Sequence, residues 1–122
     1  MVRNWTIIRE ILLRLEQATS ANRVLNAKDL SGFDEQEVAY NMRLLKESGY
    51  VEANILKTHD GSGRIGAALA RRLSNSGHDL LDTIRSDTVW AKIQKKFKDK
   101  GIDMTFDLVL TVGKGIIAAM LA

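Results

Sequence analysis

One interruption governs how this chain can fold: the run His59-Asp60-Gly61-Ser62-Gly63, dense in turn formers, set between two stretches that read as strands. Before it, Tyr50 to Thr58 (YVEANILKT) carries β-branched and aromatic residues in rough alternation; after it, Ile65 to Leu73 can return as a second strand. Helical spacing dominates elsewhere, and no β-branched alternation recurs beyond Arg72. The chain therefore has material for a small antiparallel hairpin and not for a large sheet. Its 122 residues, 45% hydrophobic and 27% charged, suit one domain with a proper core better than two domains or a disordered chain.

The helical segments are delimited by their caps. Asn4 can cap a helix on which Trp5, Ile7, Ile8, Ile11, Leu12 and Leu15 share one arc, with Arg9, Glu10, Arg14 and Glu16 opposite. The span Thr19 to Asn26 is polar and broken; Asn26 can then cap a short helix through Ala27 to Leu30, ended by Gly32. Asp34 with Glu37 three residues on has the form of a capping box, Val38, Met42 and Leu45 line one face, and Gly49 supplies the stop. After the hairpin, Ser74 or Asn75 would cap a helix carrying Leu80, Leu81 and Ile84. A helix from Thr88 to Asp99 sets Val89, Trp90, Ile93 and Phe97 against Lys92, Lys95, Lys96 and Lys98. Gly101 ends it, and Asp103 or Thr105 starts a last, largely apolar helix.

Composition narrows the chemistry. The chain has no cysteine, which excludes disulfides, zinc-thiolate sites, iron–sulfur clusters and cysteine nucleophiles, and a reducing compartment is expected. Proline is absent too, so turns fall to Gly, Asn, Asp and Ser. A net charge of +3 permits an anionic partner without the density of a nucleic-acid tail. Charges at Arg9, Glu10, Arg14 and Glu16 break any signal-peptide core. Asp107, Lys114 and two glycines interrupt the apolar stretch Phe106 to Ala122, which is short for a bilayer span of ~20 residues. A cytoplasmic protein without a membrane segment is expected.

Three helices followed by a two-stranded hairpin is the order of a winged helix-turn-helix domain, with the helix from Asp34 in the recognition position and the glycine-rich loop as the wing. The expected class is mainly α with a small antiparallel hairpin, residues 1–86 forming the winged unit and residues 87–122 a helical extension packed on it or on a dimer partner. The stretches RNWTIIREILLRLE, VAYNMRLLKESGYVE and RRLSNSGHDLLDTIRSDTVWAKIQKKF point the same way. Through them the chain resembles an uncharacterised winged-helix family of small phage and prophage proteins, most specifically in the block from Gly77-His78-Asp79 to Trp90. The resemblance implies that fold and a phage or prophage setting; it carries no activity or catalytic residue with it.

Two motifs raise enzyme readings. Gly61-Ser62-Gly63-Arg64-Ile65-Gly66 satisfies G-x-G-x-x-G, the dinucleotide-binding pattern, with Asp82 or Asp87 available for the ribose. That fold requires several parallel strands, for which the rest of the chain has no material, so a wing tip is the favoured reading and no cofactor is expected. His59-Asp60 and His78-Asp79 invite a metal reading but lack further ligands placed by sequence. Ser74, Ser76 and Ser86 lie outside any nucleophile elbow. An enzyme is not expected, and no metal.

Duplex DNA is the expected partner. On the helix from Asp34, Gln36, Ala39, Tyr40, Arg43 and Glu47 lie opposite the apolar face, and Gln36, Tyr40 and Arg43 could meet base edges or phosphate. Asp34, Glu35 and Glu37 crowd the end that normally enters a groove, leaving Asp34 to Ser48 at net −2, while Lys57, Arg64, Arg71 and Arg72 against Asp60 give the wing region, Lys57 to Arg72, +3. DNA affinity is therefore expected to lean on the wing. Lys92, Lys95 and Lys96 belong to a +4 segment, a solvated face or a phosphate-contacting flank. The last helix is apolar over more than one arc, so Phe106, Val109, Ile116, Ile117 and Met120 are expected to form a homodimer interface. The alternative is a module whose acidic helix start docks on a basic phage or host protein.

Overall fold

In the computed structural model, residues 1–18, 20 and 23–122 are described. The polar break expected from Thr19 to Asn26 falls partly on Thr19, Ala21 and Asn22, outside the described residues. Secondary structure runs α1 (Trp5–Gln17), β1 (Leu25–Asn26), a 3-10 turn (Ala27–Asp29), α2 (Glu35–Glu47), β2 (Val51–Lys57), β3 (Ile65–Leu73), α3 (Asn75–Ile84), α4 (Asp87–Lys100) and α5 (Phe106–Leu121). The fold is mainly helical with a small antiparallel sheet of order β1-β3-β2. It divides into two units, Met1–His78 and Asp79–Ala122.

In the first unit, Asn4 caps α1 by accepting from the amides of Thr6 and Ile7 at 3.0 and 3.2 Å. The apolar arc read from sequence, Trp5, Ile7, Ile8, Ile11, Leu12 and Leu15, is buried without exception, and it meets α2 and β3. A polar network joins the two helices: Asn41, fully buried, accepts from the Asn4 amide at 2.8 Å and donates to the Glu37 carbonyl at 2.9 Å. The Asn4 side chain donates to the Glu37 carboxylate at 3.0 Å. Asp34 caps α2 through the Glu37 amide at 3.0 Å, so only half of the expected capping box forms and Glu37 reaches α1 instead. Two of the three acids crowding this helix start thus have structural partners.

The short helix expected at Ala27 to Leu30 is a single 3-10 turn, capped by Asn26, whose own amide donates in return to the Asp29 carboxylate. Ahead of it Leu25 and Asn26 pair with Ala70 and Leu69, a third strand too short to carry an alternation that sequence could reveal.

The hairpin pairs Val51 with Leu73 and Lys57 with Ile65, antiparallel throughout. Strict alternation fails in β3 because two residues are extra: Ala53 faces Ala70 directly after Glu52 faces Arg72, and Lys57 faces Ile65 directly after Leu56 faces Ala67. Arg71 and Gly66 are the bulged residues, each adding one position between partners. Ile65, Ala68, Ala70 and Leu73 can therefore all be buried despite their uneven spacing. At the base of the hairpin, Ser74 donates to the Gly49 carbonyl at 2.5 Å and accepts from the Gly77 amide at 3.0 Å. A Cβ on Gly77 would collide with the Tyr50 carbonyl oxygen, so glycine is required for α3 to start there.

In the second unit, Ser86 caps α4 and Gly101 ends it in the left-handed conformation at φ 64°. Thr105 caps α5. The helix packs on α4 with Phe106, Val109, Gly113 and Ile116 buried, and a Cβ on Gly113 would strike the Thr83 and Ile93 side chains. This corrects the dimer interface expected from sequence. Phe106, Val109 and Ile116, exposed by only 8%, 0% and 8%, are enclosed within the chain; a helix one arc of which is taken up by α4 cannot offer that same arc to a partner. Of the expected set, half-buried Ile117 and exposed Met120 alone retain free surface. No helix among the described residues is long and apolar enough to cross a membrane.

Candidate nucleic-acid interface

The loop at the hairpin tip is built around one carboxylate. Oδ1 of Asp60 accepts from the Ser62 hydroxyl at 2.6 Å, the Thr58 hydroxyl at 2.8 Å and the Ser62 amide at 3.0 Å. Bonds from the Ser62 hydroxyl and amide, then from the Thr58 hydroxyl, favour the charged form and lower the Asp60 pKa from 3.8 to about 2. Gly61 and Gly63 take φ values of 77° and 78°, which other residues adopt only with strain. The turn is thereby held in one shape, with Arg64 exposed beside it and without an ion pair among the described residues.

The same geometry removes the context that a dinucleotide reading of GSGRIG needs. An antiparallel strand follows the motif where a helix should start, and Gly66 is a bulge inside that strand. His59 and His78 are exposed, and among the described residues no group of three or more His, Cys, Asp or Glu could hold a metal.

On α2 the face read from sequence is only partly available. Ala39 is buried. Gln36 is turned onto the hairpin: its amide donates to the Ile65 carbonyl at 2.7 Å and its Oε1 accepts from the Ile65 amide at 3.2 Å. Both ends of the group are occupied in fixing the first residue of β3, so Gln36 is engaged within the chain. Tyr40 is half-buried, and Arg43 is bound to Glu47 at 3.0 Å. The four hairpin cations also divide. Arg71 bonds Asn54 at 2.8 Å, and Arg72 bonds Glu52 at 2.9 Å, whereas exposed Lys57, like Arg64, has no ion pair among the described residues.

What the fold does bring together is Arg43 and Lys57. With Lys46, Glu47 and Ile55 they line a cleft of about 300 Å3 between α2 and β2. Lys46 is absent from the face read from sequence, although its position three residues after Arg43, one turn along, and about 20° from Ala39 is a signal that could have found it. Three cations against one carboxylate, all on regular elements, make this recess electropositive.

A family described as a hypothetical protein, DUF2513, matches residues 2–103. An uncharacterized protein of Haemophilus influenzae is 39% identical over 122 residues, covering all of both chains. The chain belongs to the DUF2513 family. No solved structure matches it. The DUF2513 match takes in α1 to α4 and therefore the whole cleft, while α5 lies beyond it.

Lys92, Lys95 and Lys96 are exposed on α4 of this DUF2513 chain. Lys95 is bound to Asp99 at 2.7 Å, and that hydrogen bond, with the attraction of the carboxylate, raises its pKa. Lys92 and Lys96 instead line a recess beside α5.

Proposed function

We propose that Met1–His78 is a winged helix-turn-helix unit, of the phage or prophage type that the sequence resembles, which binds duplex DNA in a regulatory or accessory role. The element order supports the reading: α1, the turn at Ala27–Asp29, α2 and an antiparallel hairpin, with β1 closing the sheet. The observation that carries it is the cleft in which Arg43 and Lys46 from the helix meet Lys57 from the hairpin, with Arg64 exposed at the tip. Cations from two rigid elements can follow one phosphate backbone. Glu35 and Glu37 at the other end of α2 repel phosphate, which directs the duplex toward the helix C-terminus and the hairpin.

Because Gln36 is engaged with Ile65 and Arg43 with Glu47, the side chains suited to reading base edges have protein partners. Binding should therefore be tolerant of sequence, with phosphate contacts dominating. The same two observations favour the second reading, an interaction module that docks on a basic protein through Asp34, Glu35 and Glu37.

Titrating the chain with random duplex DNA across a salt series separates the two. DNA binding predicts log affinity falling linearly with log salt, and Lys46→Ala and Lys57→Ala should each reduce that slope by ~1. A chain that does not bind, or whose slope neither substitution changes, is not acting through this cleft.

A further inference from the structure

The second unit holds a groove that the DNA reading does not use. Along the seam of α4 and α5, a recess of about 520 Å3 has Val112, Ile116, Ala119 and Met120 for its floor and Lys92 and Lys96 at its edge. A second recess of about 320 Å3 shares Lys96 and Val112 with the first and continues past Phe97, Ile102 and Lys100. Met120 is 51% exposed and Ile102 53%, so apolar surface is open at both ends of the seam. Asp99, which also lines the second recess, is held by Lys95. Lys92, Lys96 and Lys100 have no ion pair among the described residues.

We propose that this groove binds an acidic amphipathic helix of a partner protein. The argument is one of matching repeats. The three lysines recur every four residues, which puts them on one edge of α4 and spreads them over about 12 Å at 1.5 Å per residue. A helix laid in the groove with apolar residues at i, i+3 and i+7 can carry acids at i+1, i+5 and i+9 along its flank, with the same four-residue spacing. Methionine on the floor adapts to varied apolar shapes, and Gly115 leaves the recess wall without a side chain.

In a second copy of this chain the apolar arcs of α1 and α2 are buried and α4 is itself the basic helix, so none of these three offers the required face. A bilayer fits less well, because the apolar surface is recessed and its lysines line the α4 side, opposite neutral Thr111, Gly115 and Ala119.

The test uses the full chain and two fluorescent 14-residue helical peptides with identical leucine positions, one flanked by glutamate and one by lysine. Anisotropy should show binding of the glutamate peptide only, weakening with salt, and amide shifts in an NMR titration should concentrate at Lys92, Lys96, Val112, Gly115 and Ala119. Lys96→Glu should weaken binding by about tenfold, and by more when combined with Lys92→Glu. Ala119→Trp, an exposed position that fills the recess without altering charge, should also abolish it. Both substitutions leave the buried face of unit 2 intact, and an unchanged melting temperature confirms folding; were one variant to unfold, the other still decides. Equal binding of both peptides, absence of binding, shifts elsewhere, concentration-dependent dimerisation that moves these same amides, or preference for phosphatidylserine vesicles over the glutamate peptide would each overturn the proposal.

Discussion

The two ends of the β2–β3 hairpin are held by different means. At the base the two arginines have cross-strand side-chain partners: Arg72 pairs with Glu52 at 2.9 Å and Arg71 donates to the Asn54 amide oxygen at 2.8 Å, beside the join of Gly49, Ser74 and Gly77. At the tip the loop is fixed by Asp60 and the first residue of β3 by Gln36, and the cations Lys57 and Arg64 take no part. Charge counting treats Lys57, Arg64, Arg71 and Arg72 as four equal positive groups. The fold makes them two of each kind, and only a cation without a protein partner can exchange water for phosphate without first breaking a bond.

Substitutions can break or sharpen this contrast. The largest effect should come from the base, where Gly77→Ala forces a side chain into the Tyr50 carbonyl. Urea denaturation should show a loss of ~3 kcal/mol; a neutral result would mean that α3 does not start against Tyr50. Next is Gln36→Ala, which leaves both main-chain groups of Ile65 without partners in a residue only 7% exposed. About 1–3 kcal/mol of stability should be lost, and any change in base preference without that loss would restore Gln36 as a reader of DNA.

Smaller still is Arg72→Ala. Its ion pair is more than half exposed, at 59% and 54% for the two side chains, so less than ~1 kcal/mol is expected, and the salt slope of DNA binding should stay as in the parent chain. A slope as reduced as that of Lys57→Ala would erase the distinction between base and tip. The smallest effect is local. Asp60 has its pKa lowered from 3.8 to about 2, so its contribution to the loop is complete above pH ~4 and is lost as pH falls through about 2. The Ser62 amide resonance, followed by NMR, should be flat from neutral pH to about 4 and move below it; movement near pH 4 would show that the bonds from Ser62 and Thr58 do not hold the carboxylate.

Much of the architecture was legible because it rests on local rules. Asn4, Asn26 and Asp34 are legible as caps from residue type and position and occupy that place; of the pairs Ser74 or Asn75 and Asp103 or Thr105, the structure uses Ser74 and Thr105. The turn-dense run from His59 to Gly63 marked the hairpin for the same reason. What escaped depends on meetings distant in sequence. Leu25 and Asn26 become a strand only through Leu69 and Ala70. Gln36 reaches Ile65, 29 residues away, and no periodicity on α2 could show it. Lys46 joins the cleft only because β2 folds back beside α2. The last helix misled for a different reason: hydrophobicity alone does not say which apolar arc α4 will cover, and Gly113, the residue that permits close approach, is read from sequence as an interruption.

The buried Asn41 has a consequence for how this protein can change. Its side chain is shared between the first turn of α1 and the backbone of α2, and Asn4 in turn holds Glu37. An aliphatic residue at 41 would fit an apolar core but would strand the Asn4 amide, while a change at position 4 keeps that amide on Asn41 and, between the two helices, removes only the side-chain bond to Glu37. Positions 4 and 37 therefore change as a pair, the double replacement milder than the sum of single ones, whereas Asn41, bonded to main-chain groups on both helices, keeps its partners whatever side chains stand at 4 and 37.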